Sequence, residues 1–218
     1  MKKKNGFTLA EVLITLAIIG VVATLTLPAL MSNTQEQQAI TGFRKAMNTL
    51  NEVGQMNAAI DGFDYGGIAT KATPGSSSTV YSTSNGTLEQ TVWAMMASKS
   101  QVDMSKSGKN VIDSGECKDK EQIFFRDGTV LCYTDKVTND SADTAIEAVI
   151  DTNGIKAPNA LSECGDINCK ADSKKIKDQF LITLHGSVAI PGKVTFSTGT
   201  PKEDSGDASK AARWAMRK

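Results

Sequence analysis

One carboxylate, Glu11, stands in a run of 24 residues, Phe7 to Leu30, that holds no other charge. An ionised carboxylate in so apolar a setting is disfavoured by about 2.5 kcal/mol or more, so the chemistry it points to is charge pairing inside hydrocarbon. Four cysteines, Cys117, Cys132, Cys164 and Cys169, could form two disulfides or hold a metal. Oxygen-bearing side chains at Asp151, Asn153 and Asn159, with Asp178 further on, alternate in a way that would suit calcium. The single histidine, His185, lies beside Gly186 at an expected hairpin turn, a poor place for a nucleophile and base pair. With no phosphate-binding glycine loop, metalloprotease helix or paired carboxylates, the sequence reads as a protein that is not an enzyme.

These residues must be positioned by elements, and the first is a helix. At about 1.5 Å per residue, 24 residues are enough to cross a hydrocarbon core of roughly 30 Å. Lys2, Lys3 and Lys4 form a basic flank that assigns the amino terminus to the cytoplasm and the remainder to the far side. A secretory signal peptide would have a shorter apolar core followed by a small-residue cleavage site. A plain signal anchor accounts for the lysines and the apolar run but gives no reason for Glu11 or for the abrupt Gly6-Phe7 junction.

The basic leader ending in Gly6, the aromatic Phe7, Thr8-Leu9, Glu11 five residues past the glycine and the long aliphatic tract resemble the signal of type IV pilin-like proteins. The resemblance covers residues 1 to 30 closely and residues 31 to 60 more weakly. It implies that a prepilin peptidase removes residues 1–6 by cutting after Gly6 and methylates the new amino terminus on Phe7. It also implies an assembly role for Phe7, Glu11 and Pro28, the last matching a proline where such helices loosen on leaving the bilayer. Implied partners are the peptidase, an inner-membrane assembly platform, and copies of itself or other pilins. The chain would be a single-pass inner-membrane protein of bacteria with its carboxyl-terminal domain outside the cytoplasm, later part of a surface pilus or periplasmic pseudopilus. The function so implied is a structural subunit of a type IV pilus or related filament, with a minor or tip pilin or a type II secretion pseudopilin as the alternative. Nucleic acid is not expected as a partner outside a competence pilus.

The implied fold is α+β and pilin-like, a long amino-terminal helix packed on an antiparallel sheet domain. Its expected divisions are residues 7–30 for the membrane and assembly helix, 31–60 for its amphipathic continuation, 61–197 for the globular domain and 198–218 for a tail. Ile40, Phe43, Met47 and Leu50 recur at three- and four-residue spacing among Arg44, Lys45, Asn48 and Asn51, the pattern of a helix with one buried face. Asp61-Gly62 and Gly66-Gly67 should end it, and Thr73 to Ser78 should be a loop. Thr87 is expected to cap a helix from Leu88 to Lys99, with Trp93 as a packing anchor, followed by a polar loop from Ser98 to Lys109. Gln122–Arg126 and Thr129–Tyr133 flank Asp127-Gly128, which predicts a type I′ hairpin. Ala145–Asp151 reads as a strand, and Phe180–Leu184, Ser187–Ile190 and Lys193–Phe196 as a meander. Ser197 to Asp207 should be mobile, and Ala208 to Lys218 a short basic helix that frays as termini do.

Removing six residues and three lysines would leave 212 residues with 21 basic and 24 acidic side chains, too acidic overall for a general polyanion binder. All four cysteines fall on the exported side, where disulfides are permitted. Of the three pairings available, the local one, Cys117 with Cys132 and Cys164 with Cys169, crosses no domain. The first loop would add about 3 kcal/mol of stability. A zinc site is the weaker alternative, because only Cys164 and Cys169 approach ligand spacing. No cofactor is expected. The calcium reading of Asp151, Asn153, Asn159 and Asp178 departs from the EF-hand pattern and competes with a simple Asn153-Gly154 turn, which explains the same residues with less.

Overall fold

The computed structural model describes residues 7–66, 91–109, 111–134, 145–170, 174–197 and 200–218. Helix α1 runs from Leu9 to Ile60 as 52 continuous residues, passing through Pro28. The chain divides into two compact units, Met1–Gln38 and Ala39–Lys218. In the first, Leu9–Leu27 has a mean hydropathy of 2.3 and none of it is buried, which makes it long and apolar enough to cross a membrane. Its hydroxyls turn back on their own helix: Thr15 donates to the Val12 carbonyl, Thr24 to that of Val21 and Thr26 to that of Val22. A lipid-facing helix must satisfy its polar groups internally, and these threonines do.

The second unit begins where the pattern of α1 changes from apolar all round to a stripe. Ile40, Phe43, Met47, Leu50 and Val53 are buried at three- and four-residue spacing, and Phe43 stacks on Phe180 with ring centroids 4.4 Å apart. The helix ends as its sequence dictates. Gly62 adopts φ +76°, and the Asp61 and Gly62 amides both donate to the Asn57 carbonyl.

The remaining elements are α2 (Val92–Lys99), β1 (Gly108–Lys109), β2 (Glu121–Phe124), β3 (Val130–Tyr133), β4 (Ile146–Asp151), β5 (Glu163–Cys164), β6 (Lys174–Lys175), β7 (Gln179–His185), β8 (Val188–Pro191), β9 (Val194–Ser197), β10 (Thr200–Glu203) and α3 (Asp207–Arg217). Six strands form an antiparallel sheet in the order β1-β2-β3-β4-β7-β8. The fold is therefore α+β, with a long apolar amino-terminal helix ahead of an antiparallel sheet. Alternate residues serve two faces. Leu131, Tyr133, Ile150, Phe180 and Ile182 join the core that contains the α1 stripe, while Val130, Cys132 and Val149 pack with Ile112 and Cys117 on the other face. Burial on both faces explains why β2 and β3 are buried at every position.

Two contacts tie α1 to the edge of the sheet. A Cβ on Gly54 would stand 2.5 Å from the Ser187 carbonyl oxygen, so only glycine lets the β7–β8 turn come this close. Asn51 Oδ1 accepts from the Ala189 amide at 2.7 Å, covering a donor on edge strand β8.

Several local expectations are corrected. Helix α2 starts at Val92, because Thr91 is extended (φ −130°, ψ 154°) and its hydroxyl caps the Ala94 amide; Thr87 lies outside the described residues. The β2–β3 turn is not type I′, since only Gly128 has positive φ (92°). Its three residues 126–128 are closed by the Gly128 amide on the Phe125 carbonyl, and Asp127 Oδ1 accepts instead from the amide and hydroxyl of Thr129. Within the expected loop from Ser98 to Lys109, Gly108 and Lys109 pair with β2. The meander stops at β8: β9 leaves the sheet and pairs with β10, which occupies part of the tail expected to be mobile. Helix α3 does not fray, because Ala211, Ala212 and Ala215 are fully buried and Trp214 packs against the core. Gly67 and the Thr73 to Ser78 loop lie outside the described residues.

Candidate functional site

The start of α1 carries a reciprocal cap. Thr8 precedes the first helical residue, and its hydroxyl oxygen accepts from the Glu11 amide at 3.3 Å. In return Glu11 Oε2 accepts from the Thr8 amide at 2.8 Å and from the Thr8 hydroxyl at 2.9 Å. Helix geometry favours this, since side chains lean toward the amino terminus and Glu11 is the third helical residue. The box fixes the direction of the only charge in the apolar span. Both Thr8 bonds fall on Oε2, and among the described residues Oε1 accepts none. Phe7, immediately before the box, is 90% exposed. Gly6 lies outside the described residues, and of the Pro28 side chain nothing is described. Thr8 enters the sequence reading only as part of the motif, although Thr-x-x-Glu ahead of an apolar run is also the signature of a capping box.

The oxygen-rich residues do come together, but around N–H groups. Asp151 is fully buried; its Oδ1 accepts from the amides of Asn153 (3.1 Å) and Gly154 (2.8 Å), and its Oδ2 from Gln179 Nε2 (3.0 Å). Asp178 accepts from the amides of Asn159 (2.8 Å) and Ala160 (2.9 Å). The Asn159 amide group, oriented for its surroundings, donates to the carbonyls of Lys156 and Gly154 and accepts from the Ser114 hydroxyl. Every carboxylate oxygen of the set thus already serves a donor, and among the described residues no three acidic, histidine or cysteine side chains cluster to hold a metal. In this arrangement the set orders the chain between β4 and β7, and among the described residues Asn153 Oδ1 is buried with no donor on it. Burial, with the neighbouring charge of Asp178 adding to it, pushes the Asp151 carboxyl up to about 6.

Cys117 is joined to Cys132 and Cys164 to Cys169, with Cα atoms 5.2 and 5.0 Å apart. The first bond fastens the 3₁₀ turn Gly115–Cys117 to the centre of β3, on the sheet face away from α1. The second closes a loop beneath α3. His185 ends β7 rather than sitting in the turn, and its ring stacks on Phe196 with centroids 3.6 Å apart. Beside α1, Lys45, Val53, Met56, Phe125 and Arg126 help to line a groove of about 350 Å³, where Lys45 bonds Asp127 at 2.9 Å.

No curated protein and no solved structure matches the chain. A family model described as the prokaryotic N-terminal methylation motif covers residues 1–27. Those residues carry the signal motif of type IV pilins and pseudopilins, the site at which prepilin peptidase cuts, so the chain is pilin-like at its amino terminus.

Proposed function

We propose that the protein is a structural, non-enzymatic subunit of a type IV pilus or pilus-like filament, assembled from the inner membrane through α1. The observation that carries this reading is a membrane-length apolar helix with one carboxylate, Glu11, lying within the matched motif of residues 1–27. Cutting after Gly6 turns the Phe7 nitrogen into a cationic amine. Two charges that are each costly in hydrocarbon become tolerable as a pair, so Glu11 of one subunit and Phe7 of the next favour one docking register. All atoms of the Thr8–Glu11 box lie downstream of the cut, and the box leaves Oε1 for the incoming amine. The apolar faces of neighbouring helices then replace lipid, and the sheet domains lie on the exported side.

The test is peptide mass spectrometry on sheared surface appendages and on membranes of native cells. Abundant peptide beginning at N-methylated Phe7 in the sheared fraction identifies a surface pilus subunit. The same peptide confined to membranes identifies a minor pilin or secretion pseudopilin. An intact leader from Met1 to Gly6 in native protein overturns the reading.

A further inference from the structure

We propose that α3 is a latch whose docking depends on the Cys164–Cys169 disulfide, so that the carboxyl-terminal end of the domain is released when that bond is reduced. Ala211 packs in a small buried cluster with Cys164 and Cys169, 0% and 5% exposed, flanked by Trp214 and Ile176. The ribbon below α3, β5 with β6, has only two residue pairs, Glu163 with Lys175 and Cys164 with Lys174. So short a two-stranded ribbon does not hold itself together in water. Cys169 also adopts φ +46°, a left-handed conformation that disfavours a residue with a Cβ. Ser162 ties the base of the ribbon to Lys177 and Gln179 by hydrogen bonds, and the covalent bond closes the loop above it, the part of the floor that meets Ala211.

On its other side α3 meets the main core through Ala212 and Ala215, with Trp214 and Met216 partly buried against it. Eleven residues are too few for a helix to stand alone in water, and the residues it buries, Ser209 and three alanines, offer small apolar area. Its polar ties lie to either side. The Ser209 hydroxyl accepts from the Lys193 amide, Arg213 donates to the Asp204 carbonyl, and Arg44 of α1 donates from Nε to the Ala215 carbonyl at 2.8 Å. Cover and floor depend on each other, since a thiolate cannot reach sulfurs buried beneath a docked helix. By linkage, whatever factor the disulfide contributes to docking, docking returns to the disulfide. The other disulfide, Cys117–Cys132, packs in a separate cluster without α3 and serves as the internal reference.

The chemistry is exchange with an external dithiol. Its thiolate attacks one sulfur of the pair and forms a mixed disulfide, and its second thiol resolves that bond. Two electrons and two protons pass to Cys164 and Cys169, which become thiols, while the dithiol becomes a disulfide.

The experiment uses the full chain in detergent micelles. In Cys164→Ser/Cys169→Ser protein, trypsin should cut after Lys210 and Arg213 about ten-fold faster than in wild type, a factor within the usual range of coupling between sites. Cleavage in the sheet strands should stay slow. In the reciprocal variant, Ala211→Asp, alkylation after dithiothreitol treatment should label Cys164 and Cys169 about ten-fold faster, with Cys117 and Cys132 unchanged. Unchanged rates at α3 or at Cys164 and Cys169 overturn the latch. So does loss of protection across the whole domain, or simultaneous opening of both disulfides, because either outcome makes α3 part of one cooperative unit.

Discussion

Leu9–Leu27 and Ala39–Asn57 are equal lengths of one helix that meet opposite surroundings. The first buries nothing, while the second buries Ile40, Phe43, Met47, Leu50, Val53 and Asn57. Their polar groups differ in the same sense. Threonines of the first stretch bond to their own helix, and its one carboxylate closes on Thr8. In the second, Asn51 reaches the Ala189 amide and Asn57 the Phe63 carbonyl. A segment that must live in lipid keeps its hydrogen bonds internal, whereas one that organises a domain spends them on other elements. Unbroken apolarity and a stripe at helical spacing are therefore two instructions, and α1 contains both.

The largest expected effects separate these stretches. Glu11→Ala should leave the leader cleaved and the unfolding of Ala39–Lys218 unchanged, yet reduce filaments to background in electron micrographs of sheared material. Normal filament numbers would remove charge pairing from the mechanism. Phe43→Ala should do the converse. Phe43 is fully buried against Phe180, and its truncation should cost about 3–5 kcal/mol in denaturant unfolding of the full chain. A loss below about 1 kcal/mol would mean that the stripe of α1 is not the centre of the core.

Much of this was legible where period and punctuation agree, as in the α1 stripe and the Asp61-Gly62 stop. The misses fall where tertiary contacts outrank local signals. Asp127-Gly128 suggests two positive φ values, but Asp127 earns its place by bonding Thr129, and only Gly128 turns left-handed. Thr87 and Thr91 are equally good caps by residue type, and nothing local shows that Thr91 itself is extended. β10 contains Pro201 and two charges and reads as tail, yet pairing with β9 makes it a strand. The burial of α3 rests on alanines, which carry too little apolar signal to announce a contact face. At the candidate site Glu11 stands out because it is alone, while Thr8 reads as part of the motif and its bond to Glu11 shows only in the fold.

The next effect tests the domain through pH. The folded chain holds the Asp151 proton more tightly than the unfolded chain does, about 6 against the ordinary value of 3.8. The buried charge therefore costs stability above pH 6, and the cost is relieved as pH falls from 6 toward 4, by about 2 kcal/mol. Asp103 and Asp204, held below the usual range by the Ser105 and Ser209 hydroxyls, act oppositely, and their contributions are lost only below about pH 4. Urea unfolding should thus show wild type more stable at pH 5 than at pH 7, with most of that gain absent in Asp151→Asn. An equal gain in the variant would place the titrating group elsewhere.

The smallest effect asks what the cap contributes beside the charge. Thr8→Ala removes the hydroxyl that holds the Glu11 amide but keeps the backbone bond from Thr8 to Glu11 Oε2, so it should weaken the first turn by about 1 kcal/mol. Amide exchange at residues 9–12 should rise accordingly, and assembly should fall by about five-fold at most, the equivalent of that energy. Glu11→Gln supplies the contrast, since an amide oxygen can still close the box but cannot neutralise an amine. If the Glu11 charge sets the register, Glu11→Gln assembles as poorly as Glu11→Ala while Thr8→Ala still makes filaments. If Thr8→Ala is as defective as Glu11→Ala, the helix cap governs assembly, and Glu11 matters because it orders the first turn rather than because it meets a neighbour's amine.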